Sequence, residues 1–142
     1  MTPTSTEACL FCNASSESVV WSGARCRVLH VTDAGFAGFC RVVWNEHVAE
    51  FSDLDETDRN HVMKVVAAVE RSLRSMLSPH KMNVASLGNQ TPHLHWHVIP
   101  RYRDDSHYPN SIWAAPRREG AARALPGDFA AKLRKAIESA LG

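Results

Sequence analysis

The stretch Thr91–Arg101 reads Thr-Pro-His-Leu-His-Trp-His-Val-Ile-Pro-Arg. Strict alternation of this length is the mark of a β-strand with unlike faces. One face carries His93, His95 and His97. The other carries Leu94, Trp96 and Val98 toward a core. A slip of one residue would exchange the faces, so the pattern pins the strand. Side chains two apart on a strand lie roughly 6.6–7 Å from each other, so the imidazoles form a row about 13 Å long. A single such histidine is ordinarily a hydrogen-bonded core or surface residue. Three in register, set between Pro92 and Pro100, make a chemical surface, because imidazole titrates near neutral pH, attacks as a nucleophile and binds metals.

The rest of the chain bounds what that surface can serve. Its 142 residues suffice for one domain with a single core. A formal net charge of +1 gives no general pull toward nucleic acid or an anionic membrane, though a local anion site stays open. No apolar run approaches membrane length. Residues 1–8 are polar and expected to be mobile, without the basic and apolar regions of a signal peptide, so the cytoplasm is the expected location. There the four cysteines are expected as thiols rather than disulfides. Cys26 and Cys40, single in apolar strand-like stretches, read as small buried hydrophobes.

In chain order, Cys9-Leu-Phe-Cys12 has a spacing that lets both sulfurs turn toward one ion. A redox motif shares the spacing but usually opens a helix; here a polar loop follows. Ser18–Trp21 and Arg25–Val31 read as strands around a Ser22-Gly23 turn. Phe39–Trp44 is a third strand, ended by Asn45-Glu46-His47. The segment 51–58 opens a helix, with hydroxyl and carboxylate candidates for its cap. Val62, Val65, Val66, Val69, Leu73 and Leu77 then recur at helical spacing until Ser78-Pro79. Met82–Leu87 is a fourth strand, and 88–92 a turn into the triad strand. From Tyr102 the chain is polar and loop-like, and a last helix is predicted over about 128–141. Short strands around one long helix give an α+β domain with an antiparallel sheet.

The segment His93-Leu94-His95-Trp96-His97-Val98-Ile99 resembles the histidine-triad motif, His-φ-His-φ-His-φ-φ, of the HIT family of nucleotide hydrolases and transferases. The Cys9/Cys12 pair, His47 after a strand and Asn83 ahead of the triad fall in family order. The resemblance spans roughly Cys9 to Arg101. It implies a HIT-like fold with a sheet of about five antiparallel strands, one long helix and a C-terminal helix. It also implies a homodimer formed through the long helix and its neighbouring strand.

For the site, the resemblance implies a catalytic row of His93, His95 and His97. His95 is the expected nucleophile on an α-phosphorus, forming a nucleotidyl-histidine that water or another acceptor resolves. His97 is expected to donate to a phosphate oxygen, or to protonate the leaving group. Cys9, Cys12, His47 and His93 are the implied ligands of one zinc ion per chain. Four protein ligands leave no open position, so that zinc would be structural.

Asn83, Gln90 or Asn89, and Asp33 are the implied contacts to phosphate and ribose. Gln90 stands one residue closer to the triad than in better-known branches, and Asp33 requires a shortened loop. The family's phosphate-binding histidine of the third strand falls at Phe39. Val31, Phe36 and Phe39 are candidates for an apolar base slot or for core packing. Arg101 is a candidate phosphate contact or a surface residue. The expected activity is hydrolysis of an adenylyl-type dinucleoside polyphosphate or phosphoramidate. Its alternatives are a nucleotidyltransferase, a non-catalytic nucleotide-binding protein, and a metallohydrolase with the metal on all three triad histidines.

Overall fold

The computed structural model describes residues 8–13, 17–32 and 34–142. The expected mobility of the N-terminus therefore falls almost wholly outside the described residues, as does Asp33. Five strands form one sheet: β1 (Val19–Ser22), β2 (Cys26–His30), β3 (Cys40–Trp44), β4 (Lys81–Ala85) and β5 (His95–Arg101), in the order β1-β2-β3-β5-β4. Every neighbouring pair is antiparallel. The α+β architecture agrees with the sequence reading.

Helix α1 (Glu56–Leu77) connects β3 to β4. Its start is sharper than the sequence suggests. Phe51–Asp53 forms a separate 3₁₀ turn, and Asp55 caps α1 by accepting the Asp58 N–H at 2.8 Å. Ser78 ends it in the left-handed region at φ 48°, ahead of Pro79. Val62, Val65, Val66, Val69 and Leu73 are buried, as the periodicity requires. Helix α2 (Phe129–Leu141) places Phe129, Leu133 and Ile137 in the same core.

The period of two sorts the sheet into two faces. Cys26, Val28, Cys40, Val42, Trp44, Trp96 and Val98 point to the helices and join that core. The opposite face carries the chemistry. Strand register sets Leu29 opposite Arg41, Arg41 opposite His97 and His97 opposite Ala85, a row across four strands. The adjacent row sets Arg27, Val43 and His95 side by side. Leu94, Trp96 and Val98 thus lie where alternation put them.

Two features of the triad segment differ from the simple strand reading. The ladder begins at His95, so His93 and Leu94 precede it. They are tied in by other bonds: Leu94 N–H donates to Val48 C=O, and Leu94 C=O accepts from Trp44 N–H. The histidine face is also covered rather than open, for His93, His95 and His97 are all buried. A small second cluster of Val31, Phe39 and Ile99 packs on that face, with Phe36 and Ile112 against it.

Candidate functional site

The N-terminal pair comes first. A turn closed by Asn13 N–H donating to Cys9 C=O brings Cys9 and Cys12 to one side. Arg27 fastens this knuckle to the sheet: its Nη2 donates to Phe11 C=O at 2.7 Å and its guanidinium pairs with Glu17. Cys9 Sγ lies 3.3 Å from His93 Nδ1, and Cys12 Sγ lies 3.3 Å from His47 Nδ1 and 3.5 Å from His93 Nδ1. The two Nδ1 atoms are 3.3 Å apart.

These four residues could hold a metal ion, since their donor atoms all lie within 4.8 Å of one another. A tetrahedral zinc with ordinary Zn–N and Zn–S bonds has N···N and N···S edges of roughly 3.3–3.6 Å, the separations found here. His93 Nε2–H donates to Trp44 C=O at 2.5 Å, which leaves Nδ1 bare and aimed at the sulfurs. Such outer hydrogen bonds fix the tautomer of metal-ligating histidines.

His95 is held the other way round. Its Nδ1 donates to His93 C=O at 2.6 Å. Nε2 is then the atom with the free lone pair. The Ser86 hydroxyl donates to His95 C=O at 2.6 Å and holds the main chain at this point. Burial lowers the His95 pKa, and the Arg41 charge adds to this, so its imidazole stays neutral at ordinary pH.

His97 accepts from Arg41 Nε–H through Nδ1 at 3.5 Å, so its proton resides on Nε2. Burial first, then the neighbouring His95 and Arg41, push its pKa down to about 4. A neutral imidazole with Nε2–H is a hydrogen-bond donor to an anion. It is a poor reservoir for a transferable proton near neutrality.

Three aromatic rings cover this row. Phe11, carried by the knuckle, packs on His93 and His95 at 5.7 and 4.9 Å. Phe39 meets His97 at 5.7 Å and Trp113 meets it at 4.9 Å. A cleft of about 790 Å³ opens beside them and takes in His95, His97, Arg41, Asn89, Gln90 and Trp113.

The structure therefore brings His95, His97, Asn89 and Gln90 to one cleft, and His93 with Cys9, Cys12 and His47 to one cluster beneath it. Asn83 is elsewhere: it lines a neighbouring hollow, and its Oδ1 accepts from Arg101 Nη1 at 2.8 Å. Arg101 is neither a surface residue nor a cleft residue; it is buried and paired with Asp105. Phe39 is packed in the small cluster, so core packing accounts for it, whereas Val31 packs in that cluster and also lines the cleft.

Arg41, Phe11 and Trp113 were not among the sequence candidates. Arg41 carries a signal in retrospect, being the one charged residue in the apolar stretch 39–44. Trp113 carries a weaker one, as half of an apolar Ile-Trp pair in a polar segment.

Comparison with known proteins agrees with this geometry. The family model described as the HIT domain matches residues 13–104. A search of curated protein sequences gives no match. Among solved structures, the histidine triad protein blr8122 of Bradyrhizobium japonicum is 26% identical, with a TM-score of 0.69 over 84% of this chain and 91% of that one. A histidine triad protein of Marinobacter aquaeolei VT8 superposes with a TM-score of 0.73 at 24% identity, over 89% of this chain and 92% of that one. A zinc-bound histidine triad family protein of Mycobacterium smegmatis gives 0.68 at 19% identity, over 95% and 96%; the last two likenesses speak for the fold. With His95 and His97 on β5 and His93 just ahead of it, the five-stranded antiparallel sheet and a family-model match over most of its length, the chain belongs to the HIT domain family.

Proposed function

We propose that the protein is a nucleotide hydrolase acting at the α-phosphate of adenylyl-type substrates, dinucleoside polyphosphates or nucleoside phosphoramidates, through a nucleotidyl-histidine on His95. The observation that carries this reading is the bond from His95 Nδ1–H to His93 C=O. It leaves Nε2 unprotonated on a buried, neutral ring at the cleft, which is the state a nitrogen nucleophile requires.

In the first step the Nε2 lone pair forms a bond to the α-phosphorus. The P–O or P–N bond to the leaving group breaks, and the leaving group departs with that pair. A phosphate leaves as its anion; an amine takes a proton from solvent. In the second step water attacks the same phosphorus and the P–Nε2 bond breaks. The ring regains its lone pair, the monophosphate is released, and the proton of water passes to solvent. His97 Nε2–H and the Arg41 charge stabilise the phosphate oxygens as charge builds. Asn89 and Gln90 hold the phosphate, Asp33 holds the ribose, and Asn83 supports the site at one remove through Arg101.

We assign one structural zinc ion to Cys9, Cys12, His47 and His93. Four protein donors leave no open position, so the ion would hold the knuckle, and with it Phe11, against the triad. His93 faces the cysteines rather than His95 and His97, which supports this arrangement over one metal shared by all three triad histidines. The half-exposed Val84 on the edge strand β4 and Met63 on α1 support pairing of two chains along that side. The cytoplasm is the proposed location.

The test is release of nucleoside monophosphate from a panel of dinucleoside polyphosphates and adenosine phosphoramidates, by wild type and His95→Ala. Loss of a covalent nucleophile should lower the rate by several orders of magnitude, more than ~4 kcal/mol of barrier. Turnover that survives the substitution refutes the covalent reading.

A further inference from the structure

We propose that Trp113 is a specificity-determining platform for the leaving group, selecting substrates in which that group carries a planar aromatic system. The inference deepens the reading above and rests on the cleft being the substrate site.

Trp113 lies beyond the family match, which ends at residue 104. It is a large apolar side chain left 50% exposed. The surrounding loop is built to hold it there. Arg101, 1% exposed, sends Nε and Nη2 to the Asp105 carboxylate at 2.8 and 3.0 Å and Nη2 to Asn110 C=O at 2.8 Å. The Asp105 carboxylate also accepts the N–H groups of Tyr102, His107 and Tyr108. Asn110 N–H returns to His107 C=O, and Ala114 N–H to Ser111 C=O. Ile112 packs on the Val31/Phe39/Ile99 cluster. The chain is thus anchored immediately on either side of the indole. A buried charged network is costly to assemble, and here it fixes a solvent-facing aromatic at the catalytic row.

The indole meets His97 at 4.9 Å with an interplanar angle of 65°, and it lines the cleft. Phe11 already occupies the other end of the row, on His95 and His93. The two aromatics therefore flank different parts of a bound substrate. Phe11 sits at the nucleophile. Trp113 sits beyond it, beside the histidine that would hold the phosphate oxygens. A leaving group displaced from a phosphorus attacked by His95 departs away from Nε2, and the half-open indole offers it a stacking surface. Stacking is tolerant of hydrogen-bond pattern and demands only a flat π-face.

The experiment measures binding, so it needs no turnover. Two non-hydrolysable adenosine 5′-phosphonates are compared by calorimetry, one with a naphthyl and one with an ethyl group joined to phosphorus through a P–C bond in the leaving position. Wild type should bind the naphthyl phosphonate roughly tenfold more tightly than the ethyl phosphonate. Trp113→Ala should bring the ratio to within about twofold of unity, while Trp113→Phe, which keeps an aromatic ring on the same loop, should retain most of the preference. Equal affinities in wild type, a preference that survives Trp113→Ala, or no binding of either phosphonate overturns the proposal. Turnover surviving in His95→Ala would overturn the nucleophile reading alone, because the affinity ratio tests Trp113 independently of it.

Discussion

His95 and His93 are joined by a 2.6 Å hydrogen bond from the Nδ1–H of one imidazole to the main-chain carbonyl of the other residue. The residue that fixes the tautomer of the proposed nucleophile is therefore also a member of the candidate metal site. His93 ties its own ring to Trp44 and to the sulfurs, and its carbonyl orients His95.

Arg41 should shift the acid limb of activity, in addition to the larger effect of burial. Burial and its charge lower the His95 pKa, and burial, His95 and Arg41 lower that of His97 to about 4. The neutral rings then persist below the ordinary histidine value of about 6.5, so the acid limb of activity should lie below that value. Arg41→Met removes one lowering charge. Its kcat/KM profile should fall at higher pH, with an overall rate loss of about 10²-fold from lost charge stabilisation. A loss in rate with an unmoved acid limb would contradict the electrostatic role.

The same shifts act on stability. The folded state keeps His95 and His97 neutral, whereas the unfolded chain takes up protons below about 6.5. The unfolded state then binds more protons, so stability should rise with pH from about 4 to about 6.5. Urea titrations across that window check the sign.

Removing a cluster ligand should release both the metal and the knuckle. His47→Ala should lower zinc content from one per chain to none and lower stability by an amount on the order of 4 kcal/mol. Metal analysis and thermal melts together read this.

Thiol labelling separates the two kinds of cysteine. Cys26 and Cys40 are fully buried, and burial pushes their thiols up to about 11 and about 12. Iodoacetamide should leave both untouched in the folded protein. Chelator treatment should add reactivity at Cys9 and Cys12 alone, as mapped by peptide mass spectrometry.

The Arg101–Asp105 pair should be a point of fragility. Asp105→Asn leaves the guanidinium buried without its counter-charge, at a cost of about 3–5 kcal/mol. Burial alone would raise the Asp105 carboxyl, but Arg101 and three backbone N–H groups outweigh it and hold it at about 2. This contribution is complete above the unfolded value near about 4 and is lost as pH falls toward about 2. Acid unfolding of wild type and Asp105→Asn should therefore converge at low pH.

Much of this architecture was legible in the sequence, and the reason is periodicity. Alternation along 93–98 fixed which side of β5 meets the helices, and the valines of α1 fixed its buried stripe. The grouping of Cys9, Cys12, His47 and His93 was implied by the family resemblance, and the four residues do lie together. What the sequence hid depends on register between strands. Arg41 reaches His97 only because β3 and β5 pair in one particular offset. Asn83 shares the histidine face, yet Arg101 engages its side chain there, and nothing local in either stretch announces that bond. The loop after Tyr102 has no period at all. Its shape comes from one carboxylate, Asp105, gathering Arg101 and three N–H groups, so Trp113 could be placed only in three dimensions.

The most direct test of the nucleophilic account is capture of the intermediate. Enzyme mixed with an adenylyl substrate is quenched in alkali within one turnover, and intact mass and peptide mapping follow. The account predicts an adduct of one adenylyl group on His95, labile to acid and absent in His95→Ala. Substrate turnover with no adduct at any quench time, or with one on another residue, would contradict it.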